Sequence, residues 1–170
     1  MPEDSITVPP GLTTEGLLGR RYLARLIDWV IVSILATVVL SGFGHGLRAH
    51  PVSLTTLLID LVLLVAWVGY GALLESSQWQ ATIGKELMGL QVYDSRGGRL
   101  KQAHAAWRNA VKEVPFVLLA LLPVGGILCL AWLAAHLVVM HRSPVYQAIH
   151  DRVAKTWVAA PEATTQLHIA

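Results

Sequence analysis

The chain has 170 residues, enough for one domain, with 54% hydrophobic and only 14% charged residues and a mean hydropathy of +0.54. Soluble domains carry about 25% charged residues, so this deficit excludes an ordinary water-facing surface and points to lipid as the solvent. A net charge of +2 gives no argument for a nucleic-acid partner, and the single cysteine, Cys129, excludes an intrachain disulfide or a cysteine-based zinc site.

Residues 1–18, beginning "MPEDSITVPPGLTTEG", are acidic and rich in proline and glycine, and read as a flexible, solvated tail. They lack the basic start and apolar core of a cleaved signal, so the first hydrophobic run is expected to stay as an anchor. That run, about 22–41, is apolar apart from Arg25, Asp28 and small hydroxyls. At ~1.5 Å per residue it matches the thickness of a bilayer core. "SGFGHGLRAHP" follows, with three glycines and a proline, and reads as a short loop. A second span is expected over 53–75, interrupted only by Asp60 and ending at Glu75.

The next segment is polar. Ile83, Leu87 and Leu90 recur at helical spacing in "ATIGKELMGL", whereas "LQVYDSRGGRL" has a strand-prone run before a Gly-Gly turn. Ala103, Ala106, Trp107, Ala110, Val111 and Val114 form one face of an amphipathic surface helix. Lys101, His104, Arg108 and Lys112 cover its other sides, where lipid head groups are the expected neighbours.

A third apolar region, 114–140, is broken at Pro123–Gly126 by "PVGG". A straight helix of that length would be about 40 Å long against a hydrocarbon core of about 30 Å. It is either one kinked span or a hairpin that turns at this break. If it crosses once, nine basic residues lie on the starting side and four on the other; if it returns, the split is twelve to one. The positive-inside rule favours the return, with both termini cytoplasmic. Residues 159–170 read as a second flexible tail.

Two acids stand inside the spans. Arg21, Arg25 and Asp28, spaced by four and three, share a helical face. A lone carboxylate at the bilayer centre costs about 2.5–3.5 kcal/mol, so Asp28 requires a partner or a wet cavity. Either Arg25 neutralises it in a structural pair, or Asp28 lines a polar pathway, alone or with Asp60. Asp60 has no basic residue within a turn and is either a neutral structural group or an ion-coupling one. The seven histidines are scattered, and His45/His50 and His136/His141 lack metal-ligand spacing. No metal, cofactor or catalytic set is expected, and the chain is not expected to be an enzyme. Most of the tryptophans fall near span ends or on the surface helix, as an aromatic belt would.

Three stretches together resemble the RDD family of small bacterial membrane proteins, named for an arginine and two aspartates. "RRYLARLID" supplies Arg21, Ala24, Ile27 and Asp28; "QATIGKELMGLQVYD" supplies Thr82, Gly84, Lys85, Gly89, Leu90 and Val92. "AIHDRVAKTWV" supplies His150, Asp151, Ala154 and Thr156, and Arg108 falls where the family tends to carry another arginine. Asp151 fits the family's second aspartate better than Asp60. Gln80 and Lys155 stand where the family usually has glycine.

The resemblance implies an all-α multi-pass protein of the bacterial inner membrane, with a membrane domain over 19–158. It implies transport of an unspecified ligand, with Arg25, Asp28 and Asp60 as polar groups in an apolar bundle. Two clear spans per chain are few for a pathway, so a homo-oligomer or a larger membrane complex is expected. The competing expectation is an accessory subunit or scaffold whose cytoplasmic motifs, 82–85 and 150–156, fold together and dock a partner. "GLQVYD" and "TWVAA" are both strand-prone and are expected to pair on one membrane face. Asp151 is expected to accept hydrogen bonds from backbone or from Thr82 or Lys85, tying the C-terminal strand to the loop after span two; the alternative is a helix N-cap role toward Arg152 to Lys155.

Overall fold

The computed structural model describes residues 8–42 and 54–161. Within them run β1 (Leu12–Thr13), α1 (Leu18–Gly42), α2 (Leu54–Glu75), α3 (Ile83–Leu87) and β2 (Gln91–Tyr93). Then follow α4 (Gln102–Ala120), α5 (Gly125–Arg142), α6 (Ile149–Val153) and β3 (Trp157–Pro161). The loop expected after span one, with His45, Arg48 and His50, lies largely outside the described residues, as do 1–7 and 162–170.

Three helices have the length and apolarity to cross a membrane: Leu18–Val39, Leu57–Glu75 and Gly125–Arg142. Their outward faces are leucine, isoleucine and valine, with Ile34, Val38, Leu61, Val62, Val65, Ile127 and Leu130 all exposed. The acids Asp28 and Glu75 turn inward. Apolar surface of this extent is a lipid-facing surface, and the protein is an all-α multi-pass membrane protein.

The region 114–140 is not one helix. α4 passes straight through Pro115, although that residue has no N–H to give the preceding turn. The chain turns at 121–124, where the Leu122 and Gly125 amides bond the Leu119 and Leu122 carbonyls. α5 then runs back along α4, and the Cys129 thiol reaches the Phe116 carbonyl at 3.4 Å. The amphipathic stretch and the first apolar arm are therefore one continuous helix. Its orientation differs from the expectation: Arg108 and Asn109 are buried, whereas Trp107 faces outward. The surroundings are lipid, so the polar face of α4 packs inside and the aromatic one outside.

Two glycines permit close helix contact. A Cβ on Gly71 of α2 would overlap the Asn109 side chain of α4, and one on Gly84 of α3 would overlap the Ala24 carbonyl of α1.

The three strands form an antiparallel sheet in the order β1-β3-β2. Gln91, Val92 and Tyr93 pair with Ala159, Val158 and Trp157, the pairing expected from sequence. Leu12 and Thr13 pair with Pro161 and Ala160 on the other edge, and Leu17 is buried beside them. The N-terminal stretch read as a free tail thus contributes a strand, and the C-terminal strand extends past 158. Val92, Val158 and Ala160 join Leu17, Ala24, Leu90 and Ala105 under the helices, whereas Tyr93, Trp157 and Ala159 pack on Val145 from below. The strands precede α1, follow α2 and follow α5, so these three parts of the chain meet at one end of the bundle.

Candidate functional site

Asp28 sits on α1 with 3% of its surface exposed. Its Oδ1 accepts the Tyr70 hydroxyl at 2.8 Å and the Gly84 amide at 2.8 Å, and its Oδ2 accepts the Thr82 hydroxyl at 2.6 Å. A carboxylate from one helix therefore caps another. Thr82 occupies the N-cap position of α3, but its hydroxyl serves Asp28 and not its own helix. The Ile83 amide donates to the Tyr70 hydroxyl at 3.2 Å, which closes the knot between α1, α2 and α3.

Arg25 is not the partner of Asp28. Its guanidinium donates to Glu113 Oε1 at 2.8 Å and lies 5.2 Å over the Trp67 ring. The neutralising pair expected within one helix is replaced by one between α1 and α4. The stack on tryptophan adds a cation–π attraction.

A second, larger network holds the sheet end. Arg108 Nη1 donates to both Glu75 oxygens at 2.7 and 2.8 Å. Its Nη2 and Nε donate to Asp151 Oδ1 at 2.6 and 3.1 Å, and Nε also reaches the Thr156 hydroxyl at 3.1 Å. Arg21 Nη2 and the Ala148 amide donate to Asp151 Oδ2 at 2.5 and 3.2 Å. Lys85 Nζ and Asn109 Nδ2 complete Glu75 at 2.9 and 2.8 Å. Asp151 thus bonds backbone, as expected, but not Thr82 or Lys85; Arg108 and Glu75 stand between them.

Arg108, Glu75, Asp151 and Thr156 are buried. Burial alone would raise the Asp151 carboxyl, but the guanidiniums of Arg108 and Arg21 outweigh it and hold it well below the usual carboxylate range. Burial pushes the His150 imidazole well below its ordinary value despite the adjacent Asp151, so it is neutral at pH 7. Burial, with Arg25 nearby, brings the Lys112 ammonium down to about 7 against the pull of Glu113. Lys112 Nζ donates to Asn109 Oδ1 at 3.0 Å and lies 3.3 Å from Glu113 Oε1.

Above these contacts, α1, α2, α4 and α5 line a half-open cavity of about 800 Å³. Arg21, Arg25, Asp28, Lys85, Arg108, Lys112, Glu113, His136 and His150 line one part of it. Leu26, Trp29, Leu63, Leu64, Trp67, Phe116, Val117, Leu121, Trp132, Leu133 and Leu137 line the rest, and Asp60 joins from α2. Asp60 precedes Glu75 by fifteen residues on the same helix, about 22 Å along its axis, so it stands far from the ionic end. Three tryptophans, Trp29, Trp67 and Trp132, line this space rather than marking span ends.

Of the residues singled out in sequence, Arg21, Arg108, Asp151, Thr156 and Lys85 converge on one network, and Asp28, Thr82 and Gly84 on the adjoining knot. His150 flanks Asp151, its Nε2 lying 3.4 Å from Oδ1. Sequence reasoning missed Glu75, Tyr70, Asn109, Glu113 and His136. Glu75 read as a span boundary, although an acid at a span end facing a lone "GKEL" lysine was a signal. His136 stacks on His150 with ring centroids 5.5 Å apart, whereas His141 lies beside Tyr22. Among the described residues no three His, Cys, Asp or Glu side chains group as metal ligands.

A sequence profile described as the RDD family matches residues 16–155. An uncharacterised protein of Bacillus subtilis (strain 168), YxaI, is 33% identical over 96 residues, 47% of this chain. The match spans 64% of that protein's length.

Proposed function

The chain belongs to the RDD family, and on that premise we propose that it acts as a component of ion or small-molecule transport, taking its ligand into the cavity between α1, α2, α4 and α5. One observation carries this reading. The cavity gathers nine ionisable side chains at one end, inside helices whose outer faces are apolar. Such groups are costly within a membrane and mark ligand or ion paths. Asp28 is tied by three donors and serves as structure, so the path runs past Arg25, Lys112, His136 and Asp60. The role is non-catalytic.

We infer the localisation with support from the same geometry. The strands bring residues 12–13, 91–93 and 157–161 to one side, where the basic residues around them also gather. The positive-inside rule makes that side cytoplasmic in an inner membrane, with both termini there. Four helices of one chain line the half-open cavity, and a homo-oligomer or larger complex would complete the path across the bilayer.

Purified protein in proteoliposomes loaded with proton- and cation-sensitive dyes tests the reading. Flux above empty liposomes, reduced by the cavity-filling Val117→Phe and by Asp60→Asn, is expected. Flux unchanged by both variants would remove the cavity from the path. A second reading, an accessory subunit, draws on the sheet. Three separate parts of the chain build one platform at one membrane face, a form suited to docking a partner protein. Crosslinking from exposed Lys155 to another protein in cells, with no flux in liposomes, would favour it.

A further inference from the structure

The ionic end of the cavity is not fully satisfied by the protein. Arg21 Nη1, His136 Nε2 and His150 Nδ1 are buried nitrogens with no hydrogen-bond partner among the described residues, and all three side chains line the cavity. The Arg21 side chain is only 9% exposed, and its other terminal nitrogen is held by Asp151. Leaving such a group unpaired costs about 1–3 kcal/mol, so three at one place mark a missing occupant.

The hydrogen-bond pattern says what kind. His136 Nδ1 faces the Trp132 carbonyl at 3.2 Å, so it carries the proton and Nε2 presents a lone pair. His150 Nε2 lies 3.4 Å from Asp151 Oδ1, and in the tautomer whose N–H faces that carboxylate Nδ1 is the acceptor. Arg21 Nη1 can only donate. The occupant must therefore offer an acceptor to a guanidinium and an O–H to an imidazole. A carboxylic acid or a phosphate monoester that keeps one proton has both.

Charge agrees. At this end the cations Arg21, Arg25, Lys85 and Arg108, with a half-protonated Lys112, are bridged by the carboxylates Glu75, Glu113 and Asp151, and a fourth carboxylate, Asp28, is engaged by uncharged donors. The two signs nearly balance, so the place suits a head group that keeps a proton.

The remainder of the cavity says where the occupant comes from. Its apolar wall includes Leu26, Trp29 and Leu133, which are 57%, 58% and 51% exposed on faces that meet lipid. The apolar part thus opens sideways to the bilayer, and a space of this size with such walls does not hold ordered water well. It suits a hydrocarbon chain.

We propose that the cavity binds a membrane-dissolved amphiphile with a partly protonated acid head, a fatty acid or a phosphate-monoester lipid, the head on Arg21, His136 and His150 and the chain leaving between Leu26, Trp29 and Leu133. This names the ligand class of the transport path proposed above and rests on that reading of the cavity.

The test is binding, not flux. The full chain in phosphatidylcholine nanodiscs is titrated with dibrominated stearic acid and with dibrominated phosphatidic acid, and tryptophan quenching is read, since Trp29, Trp67 and Trp132 line the cavity. Saturable quenching by one or both acids is expected, with dibrominated phosphatidylcholine giving only a linear rise. His136→Phe keeps the ring stack on His150 but removes the acceptor, and should weaken binding about ten-fold, the loss of one buried hydrogen bond. Leu133→Trp, which leaves the head site intact and fills the chain exit, should abolish saturation while the thermal midpoint stays near wild type. Linear quenching by every lipid would overturn the proposal, as would displacement by millimolar inorganic phosphate or acetate, because the chain would then not be needed. Saturable binding without flux would overturn only the transport reading; flux without acid binding would overturn only this inference.

Discussion

Replacing Asp28 by alanine removes the acceptor of three buried or part-buried donors at once: the Tyr70 hydroxyl, the Thr82 hydroxyl and the Gly84 amide. Hydrogen bonds to a charged group are worth about 1.5–3 kcal/mol each, and stranded donors keep most of their desolvation penalty. Allowing for repacking, the loss should be about 3–5 kcal/mol. In a chain of this size ~2–4 °C accompanies each kcal/mol, so the thermal midpoint in nanodiscs should fall by roughly 10 °C. Asp28→Asn should cost less, about 1–2 kcal/mol. Its carbonyl can keep Tyr70 and Gly84, whereas its amide must turn the Thr82 hydroxyl into an acceptor in competition with Lys85, 3.2 Å away. Amide exchange at Gly84 should accelerate in both variants. If Asp28→Ala moves the midpoint by less than ~2 °C yet stops flux, Asp28 belongs to the path and the structural assignment is wrong.

Arg25→Leu with Asp28→Leu should destabilise nearly additively, because the two side chains have separate partners; a neutral double variant, read by thermal melts, would restore the pairing within α1. Arg108→Lys cannot span Glu75 and Asp151 together and should cost about 3–5 kcal/mol, seen as a sharp fall in folded membrane protein. Lys155→Gly should stabilise by about 0.5–1 kcal/mol, since the exposed Lys155 is held at φ 49°; Gln80→Gly, at φ 50°, should gain less, because Gln80 also donates to the Val92 carbonyl at 3.2 Å. His150 is held neutral in the fold, so the unfolded chain takes up the proton first and stability should decline as pH falls below the ordinary imidazole value of ~6.5. His150→Phe should flatten that slope in melts between pH 7 and pH 5.

The spans, the return of the chain after the "PVGG" break and the pairing of "LQVYD" with "TWVAA" were legible because each rests on a local signal: apolar length, helix-breaking residues or strand-prone runs. The motif residues were legible as a set, yet their pairings were not. Arg25 and Asp28 are neighbours on one helical face, and nothing in their spacing announces Glu113, eighty-eight residues on in sequence. Glu75 was hidden for a related reason. It ends a span, where an acid usually meets water, and only the approach of α4 at Gly71 brings Arg108 and Asn109 onto it. The amphipathic stretch of α4 was recognisable, but periodicity does not say which face is inside; burial inside an apolar bundle reverses the choice made beside water. Leu12–Thr13 is too short to stand out, and its strand exists only because β3 offers an edge. The left-handed conformations at Gln80 and Lys155 fit the glycines that the family resemblance leads one to expect at both positions.

The segments around β2 and β3 must lie on the same side of the membrane, since the two strands pair and Lys85 before β2 meets, through Glu75 and Arg108, the Asp151 and Thr156 that precede β3. Arg96→Cys and Lys155→Cys, both at exposed positions, can each be placed in a Cys129→Ala background and labelled with a membrane-impermeant maleimide. Both are predicted to resist labelling in intact cells and to react in inverted vesicles. Reaction of one from outside and the other from inside would mean that the chain crosses between them, and neither the sheet nor the Arg21–Asp151–Arg108–Glu75 network could form.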